Sequence, residues 1–76
     1  MYTEYAERYK MLGLKIAYYR KKAEMTQEQF ADKISKSVNF IGKIEGISTT
    51  CGVSLETLFK MAEVLKISPD KLLAED

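Results

Sequence analysis

The chain has 76 residues, and its 12 Lys+Arg against 11 Asp+Glu give a formal net charge of +1. This length supports one domain, residues 1–76, and leaves no room for a separately folded effector or catalytic domain. Hydrophobic residues make up 46% and charged residues 30%, which excludes a disordered chain and any long apolar membrane span. No targeting pattern opens the sequence, so a soluble protein of the cytoplasm is expected.

The residue inventory restricts the chemistry. The chain contains no His and a single Cys, Cys51. His/Cys metal clusters and Ser-His or Cys-His nucleophile pairs therefore cannot form within one chain. We expect no enzymatic activity, no metal and no cofactor, and we interpret Cys51 as an incidental loop thiol.

Basic residues are concentrated in two segments. Residues 10–22 contain five Lys or Arg and residues 33–43 contain three, and neither segment contains an acid. Because the net charge is almost zero, only this uneven distribution favours an anionic partner.

Apolar residues in the first third of the chain follow a 3-4 spacing that predicts one helix of about 20 residues, with Gly13 as its weak position. The stripe consists of Tyr2, Tyr5, Tyr9, Leu12, Ile16, Tyr19 and Ala23.

Capping signals predict the start of a second and a third helix. Thr26 and Gln29 form a capping box that opens the second helix, which extends to about Lys36. Ser37 is a candidate N-cap for the third, which ends near Gly46. The third helix would carry Phe40, Ile41 and Ile44 and would turn Ile41 and Ile44 toward the core.

A polar loop at residues 46–52 precedes two further predicted helices. Ser54 caps the fourth helix, and Ser68-Pro69 opens a short fifth helix with Pro at its first position. No strand pattern competes, so the fold class is all-α, a compact bundle of about five helices. The apolar face of the fourth helix is predicted to be Leu55, Leu58, Phe59, Ala62 and Leu65.

The second and third helices are joined by a turn of about three residues, as in a helix-turn-helix. The runs TQEQFA at residues 26–31 and SVNFIGKIE at 37–45 resemble the entry and recognition helix of the XRE family, the lambda-repressor-like, Cro-type regulators. SLETL at 54–58 and ISPDKLL at 67–73 are similar to the family's later motifs. The resemblance covers roughly residues 12–73, implies a five-helix DNA-binding fold, and leaves residues 1–11 as an N-terminal helical extension.

The resemblance also implies which residues contact double-stranded DNA. The base-reading positions fall on Val38, Asn39 and Lys43: Val38 for a thymine methyl, Asn39 for adenine, and Lys43 for guanine or a phosphate. Gln27 and Ser37 are expected to hold phosphates. The loop after the third helix lacks the family's Lys or Arg, so Thr49, Thr50 and backbone N–H groups are the candidate substitutes there, with Thr49 as the expected contact.

Two further features of the family pattern concern structure. An Arg late in the first helix and the Glu that ends the recognition helix often form a buried ion pair, and Arg20 and Glu45 occupy these positions. Ser35 replaces the usual Gly of the turn, which requires a left-handed Ser or a different turn. Gly42 lies within the recognition helix, where we interpret it as a tolerated small residue rather than a device for close approach to DNA.

These features predict a transcriptional repressor that binds a palindromic operator as a homodimer. The alternative is a protein-interaction module, an antitoxin or adaptor, with weak DNA binding. The dimer contact is left open between the last helix, with Leu72 and Leu73, and the N-terminal Tyr2, Tyr5 and Tyr9. The periodic stripe favours packing of these tyrosines on the core instead.

Overall fold

A computed structural model describes residues 5–46 and 52–74 and contains five helices in these ranges. They are α1 (Ala6–Lys22), α2 (Gln27–Lys33), α3 (Val38–Glu45), α4 (Leu55–Leu65) and α5 (Pro69–Leu73). No strand occurs in the described ranges, and the all-α, five-helix prediction is confirmed. None of these helices has the length and apolar character that crossing a bilayer requires.

Helix α1 is shorter than predicted and buries less of its stripe. It spans 17 residues, and its buried positions begin at Leu12 and continue with Gly13, Ile16 and Arg20. Tyr5 and Tyr9 are 55% and 36% exposed, so the prediction that they pack in the core is wrong. No residue of α1 before Leu12 is buried. Tyr2 lies outside the described residues.

Gly13 is a contact point between two helices rather than a weak position in one. A Cβ built on Gly13 would lie 2.1 Å from the carbonyl oxygen of Ile44 in α3. Backbone therefore packs directly against backbone where α1 crosses the end of α3, and only glycine fits this approach.

Three of the predicted N-caps have the expected hydrogen bonds. Thr26 forms both bonds of the capping box with Gln29, and Ser37 Oγ accepts from the backbone N–H of Phe40 at 3.1 Å. Ser54 caps α4 in the same way. Ser68 occupies the N-cap position of α5, but its side chain makes no capping bond and donates to Asp70 instead.

Left-handed residues other than glycine follow three of the helices. Glu24, Ser35 and Lys66 have φ values of 61°, 59° and 59°. For Ser35 this settles the choice left open by the sequence, because the turn between α2 and α3 keeps a left-handed residue without glycine. Glu24 and Lys66 carry no glycine signal, so sequence patterns do not reveal these two left-handed residues.

The core draws on all five helices, but its α4 contribution differs from the prediction. Leu55 and Phe59 are 65% and 54% exposed, whereas Met61 is fully buried. The buried face of α4 is therefore rotated relative to the predicted one: it includes Met61 and excludes Leu55 and Phe59. The buried apolar residues are Leu12, Ile16, Phe30, Ala31, Ile34, Ile41, Ile44, Leu58, Met61, Ala62, Leu65 and Leu72.

Candidate nucleic-acid interface

Helices α2 and α3 pack against each other across the short turn at residues 34–37. Ala31, in the middle of α2, is 2% exposed, which is consistent with a small side chain at a close helix approach. The left-handed Ser35 reverses the chain, and Ser37 then caps α3. This is the geometry of a helix-turn-helix, with α3 as the second helix.

The two sides of α3 differ sharply. Ile41 and Ile44 face the core with 0% and 4% exposure. Asn39 and Lys43 are exposed and lie four residues apart, hence on the same side of the helix. Val38, 42% exposed, begins the helix beside them. The predicted base-reading residues therefore lie together on the solvent side of α3.

At the other end of α3, Arg20 and Glu45 form a bidentate ion pair. Arg20 Nε lies 2.8 Å from Glu45 Oε2, and Nη2 lies 3.0 Å from Oε1. Their side chains are only 8% and 6% exposed. The third arm of the guanidinium donates to the carbonyl oxygen of Met25 at 2.7 Å, so α1 also holds the segment that leads into α2.

Gln27, predicted to contact a phosphate, is joined to the same pair. Its Nε2 donates to Glu45 Oε1 at 3.0 Å. A carboxylate in an ion pair only accepts hydrogen bonds, so the amide must turn its NH₂ group toward Glu45. The side chain is partly exposed, and this link to Glu45 was not predicted from the sequence.

Lys36 is a further cation at this surface that sequence reasoning did not single out. It lies in the turn just before Ser37, and its Nζ is 5.4 Å from the centre of the Phe40 ring. Such a cation–π contact holds an exposed lysine beside the start of α3. The signal available in the sequence was the i,i+4 spacing of the two residues.

Three residues of the loop after α3 that were discussed from the sequence cannot be placed. Thr49, expected to contact a phosphate, Thr50 and Cys51 all lie outside the described residues. Among residues 5–46 and 52–74, no three Asp, Glu, His or Cys side chains are grouped as metal ligands. The candidate site in the described part of the chain is therefore a surface of neutral polar and basic side chains around α3.

Comparison with known proteins identifies this arrangement. A family model described as helix-turn-helix matches residues 16–45, from the middle of α1 through the end of α3. The crystal structure of the restriction-modification controller protein C.AhdI from Aeromonas hydrophila matches with a TM-score of 0.76 and 25% identity. The match covers 84% of this chain and 94% of that one. No curated protein matches significantly. Residues 16–45 thus match the XRE-type helix-turn-helix, and the two matches together support a DNA-binding transcription regulator.

Proposed function

We propose that the protein is a repressor that binds a palindromic operator as a homodimer. The observation that carries the proposal is the two-sided α3, whose apolar side is buried while Val38, Asn39 and Lys43 are exposed together. A helix presented in this way can enter the major groove with its first turns against the base edges. Occupation of a promoter by such a dimer would repress transcription without an effector domain.

In this proposal the exposed side of α3 reads the bases. Asn39 makes a paired hydrogen bond to adenine, Lys43 donates to guanine or to a phosphate, and Val38 contacts a thymine methyl. Gln27 and Ser37 bind phosphates on either side of the turn and fix the register of α3. Thr49 is proposed as a third phosphate contact from the loop that follows α3.

The proposed dimer contact is a groove between the start of α1 and α5. It has a volume of about 240 Å³, and its lining includes Tyr5, Tyr9 and Leu73. The two surfaces that the sequence left as alternatives therefore meet in one place. Leu72 is only 1% exposed, so it belongs to the core and leaves Leu73, 56% exposed, as the contact from α5.

Size is compatible with this arrangement. The chain measures 31 × 24 × 21 Å along its principal axes. The longest dimension is close to the separation of half-sites one helical turn apart, about 34 Å, which a side-by-side dimer would have to match. We propose residues 12–73 as the DNA-binding core and residues 1–11 as an extension that contributes to pairing.

The test is selection of bound sequences from a randomised duplex pool, followed by fluorescence anisotropy at two salt concentrations. An enriched inverted repeat, bound with an affinity that falls steeply with salt, is expected. Weak, unselective retention that moderate salt abolishes would contradict operator binding and favour the protein-interaction module. In that case Asn39→Ala and Lys43→Ala would have no effect on the partner complex.

The dimer contact has a matched pair of tests. Leu73 in α5 and Phe59 in α4 are 56% and 54% exposed, so a charge at either position costs little in the monomer. We expect Leu73→Glu to give monomers in sedimentation-velocity experiments and Phe59→Glu to remain dimeric. The reverse result would move the interface to the exposed side of α4.

A further inference from the structure

Three side chains from three parts of the helix-turn-helix form one hydrogen-bonded chain. Arg20 in α1 holds both oxygens of Glu45 at the end of α3. One of those oxygens, Oε1, also accepts from Gln27 at the start of α2. Every link has a length of 2.8–3.0 Å, and the described residues contain no buried side-chain N or O atom without a hydrogen-bond partner.

These hydrogen bonds lead from the protein interior to its surface. The side chains of Arg20 and Glu45 are 8% and 6% exposed, whereas Gln27 is partly exposed. A glutamine that is otherwise free to rotate loses conformational freedom when it binds DNA, and fixing it beforehand lowers that cost. The buried Arg20–Glu45 pair thus holds Gln27, the solvent-exposed residue of the three.

The chemistry of each link sets the direction of the amide. Glu45 accepts one N–H of the Gln27 amide, which leaves the second N–H of the same nitrogen as a donor. Arg20 is needed because an unpaired carboxylate at this place would repel a phosphate. The guanidinium neutralises Glu45 and fixes its plane through two parallel bonds.

We propose that Arg20 and Glu45 are positioning residues for DNA binding, which act through Gln27 by aiming its free N–H at a backbone phosphate. The proposal rests on the DNA-binding function above. It assigns to the ion pair a role in affinity that is separable from its contribution to folding.

The experiment measures affinity for a fluorescein-labelled mixed-sequence duplex as a function of salt, at a temperature where circular dichroism shows each variant to be folded. Gln27→Ala is expected to weaken binding about tenfold, the scale of a hydrogen bond to a charged group. The slope of affinity against salt should not change, because glutamine is neutral.

Glu45→Gln separates positioning from charge. The substitution removes a negative charge, which by itself strengthens binding to DNA. If Glu45 positions Gln27, affinity instead falls several-fold, and the same substitution in the Gln27→Ala background causes no further loss. An unchanged or higher affinity of Glu45→Gln, or an equal loss in both backgrounds, would overturn the proposal.

Gln29→Ala is the matched control, since Gln29 lies on the same helix but serves only the capping box in the described contacts. It should lower stability and leave affinity within twofold of the wild type. If Glu45→Gln does not fold, Arg20→Lys is the alternative variant, because it keeps the positive charge but loses the two parallel hydrogen bonds of the guanidinium. The same loss of DNA affinity, dependent on Gln27, is then expected. Full affinity of Gln27→Ala refutes this proposal alone, whereas a wild type that does not bind DNA refutes the proposed function.

Discussion

The two ends of α3 have opposite surroundings. At its C-terminal end, the backbone of Ile44 contacts the backbone of α1 at Gly13, and Glu45 forms an ion pair with Arg20. At its N-terminal end, Ser37 and Asn39 are exposed, and the Ser37 hydroxyl caps only its own helix. Helix α3, eight residues long, is thus fixed to α1 at its C-terminal end and exposed to solvent at its N-terminal end. We call these the anchored end and the presented end.

This difference separates stability from recognition. Substitutions at the anchored end disturb the close backbone contact and the buried ion pair with α1. They should therefore lower the free energy of unfolding. Substitutions at the presented end remove groups that no neighbouring helix needs. They should change DNA affinity while folding stays intact.

The strongest way to test the anchored end is Arg20→Ala. It leaves the nearly buried carboxylate of Glu45 without its counterion and should lower the free energy of unfolding by about 3–5 kcal/mol. Urea denaturation followed by circular dichroism measures this loss. A loss below about 1 kcal/mol, the value typical of exposed ion pairs, would show that solvent reaches the pair freely.

Gly13→Ala examines the backbone contact at the same end. Alanine favours a helix over glycine by about 0.8–1 kcal/mol, yet its Cβ would lie 2.1 Å from the Ile44 carbonyl oxygen. Because the Ile44 oxygen is a backbone atom and an alanine side chain has no alternative rotamer, side-chain rotation cannot relieve the overlap. We expect a net loss of about 1–3 kcal/mol in urea denaturation, and a stabilised variant would contradict the close approach.

At the presented end, Asn39→Ala should lower affinity for the selected operator by about 1–3 kcal/mol, equal to roughly 5- to 150-fold. Its free energy of unfolding should change by less than about 0.5 kcal/mol, since the side chain is exposed. Anisotropy titration and urea denaturation give the two values. Equal losses on operator and unrelated duplex would mean that Asn39 does not read a base.

Gly42→Ala has the smallest expected effect and is the matched comparison for Gly13→Ala, since both replace a helical glycine. A Cβ at Gly42 meets nothing within 4 Å, so helix propensity alone should stabilise the protein by about 0.8–1 kcal/mol. The same variant tests the interpretation of Gly42 as a tolerated small residue, which predicts unchanged operator affinity. A loss of affinity with a gain in stability would show that DNA needs the space at Gly42.

Patterns that act within a few residues were predictable from the sequence. The capping box at Thr26, the cap at Ser37 and the apolar positions Ile41 and Ile44 follow from local spacing, and the structure shows all of them. The exposure of Leu55 and Phe59 was not predictable, because an apolar residue on the edge of a stripe is buried only if another helix covers it.

By itself, the sequence determined the number and order of the helices, where most of them begin, and the Arg20 and Glu45 positions that the family pattern pairs. These depend on hydrogen bonds and periodicity along the chain, which are readable over a few turns. The tertiary structure decided the rest: the crossing at Gly13, the burial of Leu72, and the capture of Gln27 by Glu45. Each depends on how closely separate helices approach, a distance that no local pattern contains.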